Sequence, residues 1–355
     1  MGLTRKNFCA APWAGLSVDP DGQAKVCCIS EQRISISELS QVQTNSFFVN
    51  IRRSFIDDEQ HTNCNACWQR EKTNAEWESR RSIYQYDYFH DLDNSQQFCL
   101  EHLDLRWSNT CNLNCVYCNS TFSSRWAELC GESKSYRTNL KISDQDLSNL
   151  KVLQLAGGEP MLIKENLDIL IRLKDLNPNV AIEVTTNLTM IQNNAIYNLL
   201  KNFDDVRFVV SFESTGNKFE YIRNGAKWAL FKKNLQILAM DFMDLQFNMV
   251  YFPLSSLDIA RAFEVACEYT MPKNIFVVSQ SGGHGFDSLS QRALQYVQQL
   301  NLTQSTQLPA ILRQRFVEQI QTTTTQQTKT FLPQYEKFDQ LTNQNHKLLF
   351  TELYQ

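Results

Sequence analysis

Residues 101–118 read EHLDLRWSNTCNLNCVYC, an apolar run of strand character that leads within a short loop to Cys111, Cys115 and Cys118. Similar runs follow at Lys151–Leu155, Val180–Thr185, Val206–Phe212, Leu245–Tyr251 and Asn274–Ser279. Between them lie segments of helical spacing, such as Asn166–Leu176, Ala195–Phe203, Trp228–Met240 and Leu257–Tyr269. Repeated strand and helix units imply a parallel sheet. The expected fold class is therefore α/β: a partial (β/α)6 TIM-like barrel over residues 98–285, whose open side could admit a bulky substrate. Chemistry in such a sheet lies at the carboxyl ends of the strands, where the cysteine loop falls.

The flanks read differently. Residues 1–97 hold short segments, the turn Asp19, Pro20, Asp21, Gly22, and cysteines at both ends, and look like a small metal-stapled module. Beyond Gly285 the chain is helical and Gln-rich with a polar tract at Thr322–Thr330, so residues 286–355 are expected as a C-terminal helical extension. The charged stretch Glu71–Ser82 is expected as a helix, either a solvated linker or a contact to an acidic substrate or the barrel rim.

Composition removes whole classes. With 43% apolar residues and 22 Phe among 355, the chain can bury a large core and is not disordered. A net charge of -4 with interspersed signs gives no basic stripe for long nucleic acid. No run of about 18 apolar residues occurs and the start MGLTRKNFCAAPW has no long hydrophobic stretch, so a cytoplasmic protein without a membrane span is expected. In that reducing compartment clustered cysteines are metal ligands or catalytic groups more often than disulfides.

Three thiolates within eight residues can hold one iron-sulfur cube and leave the fourth iron without a protein ligand. Zinc would want a fourth ligand, and the chain's five His lie outside this loop. The spacing C-x3-C-x2-C, with the aromatic Tyr117 before the last cysteine, resembles the radical SAM family. A second motif, Gly157, Gly158, Glu159 and Pro160, follows the next strand as in that family, whose pattern places backbone there against the amino group of S-adenosylmethionine. Two glycines permit that close approach, and Glu159 can accept from an ammonium group. By the same resemblance, Thr186 and Asn187 lie near the adenosyl group. Ser211 and Glu213 lie near the ribose hydroxyls, with Glu213 one methylene longer than the usual Asp, and Arg223 meets the methionine carboxylate.

Cys9, then Gly22 before Cys27, and finally Cys64 and Cys67 resemble the SPASM/Twitch modules that hold an auxiliary cluster, here ahead of the barrel instead of after it. Four Cys with one C-x2-C also describe a zinc knuckle, and Cys28 could replace Cys27. Cys99, Cys130 and Cys267 sit on apolar stretches and are expected as small buried hydrophobes. Tyr251, Gln280 and His284 could face the cavity from the ends of the last strands.

The resemblance implies two [4Fe-4S] clusters and S-adenosylmethionine as cofactors, with reductive cleavage to a 5'-deoxyadenosyl radical that abstracts hydrogen from a substrate. It also implies a peptide or protein side chain as substrate, the auxiliary cluster as electron relay, and an external donor such as flavodoxin or ferredoxin. The alternatives are the same chemistry on a small metabolite, sugar or nucleotide, and a non-catalytic zinc-stabilised binding module.

Overall fold

A computed structural model of the chain describes residues 7–72, 81, 97–133, 135–279, 299 and 331–354. Its strands are β1 (Gly15–Val18), β2 (Gln23–Lys25), β3 (Ile34–Ser35), β4 (His102–Leu105), β5 (Val152–Leu155), β6 (Ala181–Thr186), β7 (Val206–Ser211), β8 (Asp244–Tyr251) and β9 (Ile275–Ser279). They form a nine-stranded sheet in the order β3-β2-β1-β4-β5-β6-β7-β8-β9. The pairs β1–β4, β4–β5, β5–β6, β7–β8 and β8–β9 are parallel, whereas β1–β2 and β2–β3 are antiparallel. The α/β class expected from the sequence holds. β4 and β5 are buried at every position, as parallel strands covered on both faces require, while β6 and β8 alternate half-buried with buried residues.

Of the helices, α1 (Ser46–Ile56) and α2 (Asn65–Lys72) precede the repeat, α3 (Ser124–Leu129), α4 (Lys164–Leu176), α5 (Ala195–Leu200), α6 (Gly216–Ile222), α7 (Trp228–Asp241) and α8 (Ile259–Cys267) lie within it, and α9 (Phe331–Thr342) follows; α4, α5, α7 and α8 stand where the spacing predicts. The chain divides into two compact units, each assembled from separate stretches of sequence. Met1–Thr110, Ser135–Val184 and Asn193–Val206 form one, and Cys111–Lys134, Thr185–Gln192 and Arg207–Gln355 the other. Gln280, His284, the tract Thr322–Thr330, and most of 286–355 and of Glu71–Ser82 lie outside the described residues.

In the first unit, the amino-terminal residues extend the sheet. β1 lies parallel to β4 from Gly15 opposite His102 to Val18 opposite Leu105. The β1–β2 hairpin closes with Asp19 N–H donating to the Gln23 carbonyl and Gly22 N–H to the Asp19 carbonyl, and Gly22 takes φ +78°, which glycine adopts without a side-chain penalty. The fully buried Arg52 on α1 donates to the carbonyls of Pro12, Val42 and Gln43 and so ties this helix to the chain before β1. The rings of Trp13, Phe55 and Trp68 pack in series beside it.

The second unit has an aromatic core in which Phe212 meets Phe231, Phe247 and Trp228, and Phe219 meets Trp228 and Phe231. α9 joins this unit through Phe338, whose ring lies 5.5 Å from Trp126 and 5.4 Å from Tyr221. Asp339 on α9 accepts from the Tyr221 hydroxyl at 2.9 Å, from the backbone N–H of His346 and from its imidazole, fixing the carboxyl-terminal segment on α6.

Candidate active site

The cysteine loop is fixed through its backbone. Ser123, the N-cap of α3, accepts from Trp126 N–H and donates to the Leu113 carbonyl at 2.6 Å. Ser124 accepts from Cys111 N–H, and the Trp126 indole N–H donates to the Cys115 carbonyl at 2.7 Å. From the other side, α6 and the turn after it accept Val116 N–H at Ile222 and Asn114 N–H at Asn224. Gly225, at φ +99°, lies so near Asn112 and Leu113 that a Cβ there would be 3.1 Å from the Leu113 side chain. The half-buried sulfurs of Cys111, Cys115 and Cys118 thus belong to a loop held at nearly every turn.

The three thiols also feel one another. Burial pushes Cys115 well above the ordinary thiol range; Arg223 opposes the rise, and Cys118 and Cys111 add to it. Cys118 is pushed up to about 11 by burial, against a backbone hydrogen bond at Asn119 and the charge of Arg223. Soft thiols that repel one another as thiolates, next to a fixed cation, suit an iron-sulfur cluster, which supplies the positive charge the thiolates lack. The donor set fits that group.

The glycine motif is positioned in the first unit. A Cβ on Gly158 would stand 2.1 Å from the Thr110 carbonyl oxygen, one residue before Cys111 in the chain, and Glu159 N–H donates to the same carbonyl at 2.7 Å. Gly157, at φ +124°, packs on Ser108 and Arg106. Only glycine satisfies both positions. The buried Glu159 carboxylate accepts from Met161 N–H, capping the short helical turn Pro160–Leu162, so it serves the chain's own backbone. Pro160 starts that turn, and its carbonyl accepts from Asn166.

Thr186 and Asn187 stand at the end of β6. The Thr186 hydroxyl accepts from Leu188 N–H, and Asn187 donates to Asn112 at 3.1 Å while its oxygen accepts from Thr189. Asn112 in turn donates to the Thr189 hydroxyl at 2.8 Å, closing a polar ring onto the cysteine loop. Ser211 is the half-buried last residue of β7.

Glu213 and Arg223 meet each other. Arg223 donates through Nε at 3.1 Å and Nη2 at 2.7 Å to the two Glu213 oxygens, and the Tyr117 hydroxyl donates to Glu213 at 3.2 Å. Both charged groups are buried, Glu213 at 0% and Arg223 at 4% exposure. Burial alone would lower the Arg223 guanidinium, but Glu213 outweighs it and the cation is held above its ordinary value. Tyr117 also lies edge-on to Phe252 and under the Arg223 guanidinium. The family resemblance had sent these two residues to separate parts of S-adenosylmethionine. Here they form one bidentate pair, and the Nη1 edge of Arg223 is not engaged by Glu213.

The amino-terminal cysteines converge. Cys9, Cys27, Cys64 and Cys67 line a single small cavity in the first unit, together with Phe55 and Arg81. Burial raises the thiols of Cys9, Cys27 and Cys64, and neighbouring cysteines raise each of them further. Among the described residues, no group of three or more His, Cys, Asp or Glu is arranged around a single metal ion. Cys28 is half-buried and does not line the cavity; its carbonyl accepts from Lys25.

Other expectations change. Cys99, Cys130 and Cys267 are exposed instead of buried. Cys130 follows α3 as its C-cap and Cys267 ends α8, and chain ends of helices turn toward solvent even where the surrounding sequence is apolar. Tyr251 is buried at the end of β8. Asn112, Ser123 and Trp126 were not singled out in the sequence, although Ser123 stands three residues before Trp126 in the usual N-cap position.

Residues 105–266 match the Radical SAM superfamily. Over 113 residues the chain is 29% identical to an uncharacterized protein of Methanocaldococcus jannaschii, which covers 30% of this chain and 36% of that protein. The chain thus spans little more than a third of that relative's length. Among solved structures, anSMEcpe with bound AdoMet has 14% identity and a TM-score of 0.40 over 54% of each chain. Streptococcus suis SuiB bound to precursor peptide SuiA has 14% identity and a TM-score of 0.40 over 77% of this chain and 65% of that one. The cysteine loop directly after β4 and the glycine motif after β5 both lie within the residues that match the Radical SAM superfamily.

Proposed function

We propose that this protein is a radical S-adenosylmethionine enzyme acting on a peptide or protein side chain, with an auxiliary [4Fe-4S] cluster at Cys9, Cys27, Cys64 and Cys67. The observation that carries the reading is the triad Cys111, Cys115 and Cys118 on a loop fixed by α3 and α6 next to Arg223. Cys111, Cys115 and Cys118 would hold a [4Fe-4S] cluster there, and that group would supply the one-electron reductive cleavage of S-adenosylmethionine that precedes removal of hydrogen from the substrate.

The chain's residues bind, orient and screen. Gly157 and Gly158 keep the backbone bare where the methionine amino group approaches, and Thr186, Asn187 and Ser211 offer polar groups at strand ends for the nucleoside. Asn112 holds the cysteine loop to Asn187 and Thr189 so that the sulfurs keep their spacing. Arg223, anchored by Glu213, keeps a positive charge beside the thiolates and presents Nη1 for the methionine carboxylate. Tyr117 and Phe252 cover this side with apolar surface and exclude water.

The peptide half of the reading rests on the SPASM/Twitch-like spacing of the amino-terminal cysteines and on their shared cavity. An electron donor of the flavodoxin or ferredoxin type and a reducing cytoplasmic setting go with that chemistry. Among the described residues no helix is long and apolar enough to cross a membrane.

Anaerobic reconstitution tests the proposal. About eight irons per chain and 5'-deoxyadenosine formed from S-adenosylmethionine under reduction are expected; zinc without iron would turn the reading toward a binding module. Deuterium transfer from labelled peptides into 5'-deoxyadenosine, set against transfer from small metabolites, decides the substrate class.

A further inference from the structure

We propose that Arg81 sets the reduction potential of the cluster held by the amino-terminal cysteines, acting as the fixed positive charge of that cavity and favouring its reduced state. This rests on the auxiliary-cluster reading above. The cavity is otherwise apolar or neutral: Cys9, Cys27, Cys64 and Cys67 share it with residues such as Val26 and Phe55, and Arg81 is the charged side chain among its described lining residues. A cube with four thiolates carries net negative charge in either oxidation state, and an apolar wall solvates that charge poorly. The reduced form carries one more negative charge, so a nearby cation stabilises it more than the oxidised form and raises the potential.

Arg81 is built to stay there. Its Nε donates to Glu71 at 2.9 Å, Nη2 pairs with the other Glu71 oxygen, and Nη1 donates to the Phe8 carbonyl, one residue before Cys9. The guanidinium lies 5.0 Å from the Trp68 ring centre, next to Cys67 in sequence, and its side chain is 15% exposed. The two hydrogen bonds to the Glu71 carboxylate hold the guanidinium in place, and an arginine stays protonated at any ordinary pH. Glu71 does not line the cavity, so the positive end of the pair is the one the cysteines meet. In the proposed reaction this placement would make the cluster a better acceptor for the electron left on a substrate radical.

The test uses full-length protein with Cys111, Cys115 and Cys118 replaced by Ala, so that one cluster reports alone. Its midpoint potential is read by redox titration followed by electron paramagnetic resonance, with iron counted in parallel. Arg81→Gln is expected to lower the midpoint, because it removes the cation and leaves Glu71 behind. Glu71→Gln is expected to raise it, because it unmasks the cation. Arg81→Lys should stay nearer the parent than Arg81→Gln. Full iron with a midpoint unmoved by both Arg81→Gln and Glu71→Gln overturns the role of Arg81 and leaves the cluster reading intact. If Arg81→Gln does not retain iron, Glu71→Gln decides alone, and an unchanged or lowered midpoint overturns the proposal. Zinc or no metal in the parent overturns both readings.

Discussion

At the scale of single residues, the buried pair Glu213 and Arg223 shows best how position decides role. An uncompensated charge in such a place is costly, since removing one partner of a buried pair typically destabilises by about 3–5 kcal/mol. Arg223→Met is therefore expected to lower stability in denaturant titration by about 3 kcal/mol or more. Adding Glu213→Leu should restore most of that loss; no recovery in the double variant would show that the pair is not the source. The two are not visible as a pair in sequence, because they stand ten positions apart and all of α6 lies between them before the chain returns Arg223 to Glu213. The thiol of Cys118 offers a second test. With its titration moved up to about 11 in metal-free protein, alkylation by iodoacetamide should accelerate about tenfold per pH unit from pH 8 to 10. A rate already level at pH 8 would mean that burial does not govern this thiol.

At the scale of elements, the six strands of the repeat were legible because buried parallel strands draw mostly apolar side chains on both faces, as Val152, Leu153 and Leu155 show around the hydrogen-bonded Gln154. β1 was not legible. Gly15, Leu16, Ser17 and Val18 are too short a run to be told from a loop, and only pairing with His102–Leu105 makes them a strand. The four amino-terminal cysteines were readable as a group by spacing, whereas the stretch Glu71–Ser82 was readable only as a charged segment, because the place of Arg81 among the cysteines depends on its contact with the distant Phe8 carbonyl. The glycine motif was legible in kind and its reason became plain only with Thr110 beside it. Gly158→Ala places a methyl where the Thr110 carbonyl stands, so it should lower the melting temperature and weaken S-adenosylmethionine binding by at least tenfold in equilibrium titration. Unchanged binding would show that the turn relaxes freely. The contact of α9 with α6 also has a measurable weight. Tyr221→Phe removes the hydroxyl that Asp339 accepts from, and a hydrogen bond to a charged group is worth about 2 kcal/mol, readable in denaturant titration.

At the scale of the molecule, the cysteines are divided between the two units: Cys111, Cys115 and Cys118 lie in one, and Cys9, Cys27, Cys64 and Cys67 in the other. The two proposed ligand sets share no residue. Cys64→Ala with Cys67→Ala should therefore halve the iron from about eight to about four per chain while S-adenosylmethionine is still bound by the remaining centre. Loss of all iron would mean that one set cannot load without the other. The most direct measurement is electron paramagnetic resonance of the reduced, reconstituted protein with and without S-adenosylmethionine, in the wild type and in Cys118→Ala. Addition should change one of two cluster signals in the wild type, and that responsive signal should vanish in Cys118→Ala while the other persists. A spectrum indifferent to S-adenosylmethionine, or a triad cluster with its fourth iron ligated by a side chain of this chain, would contradict the account.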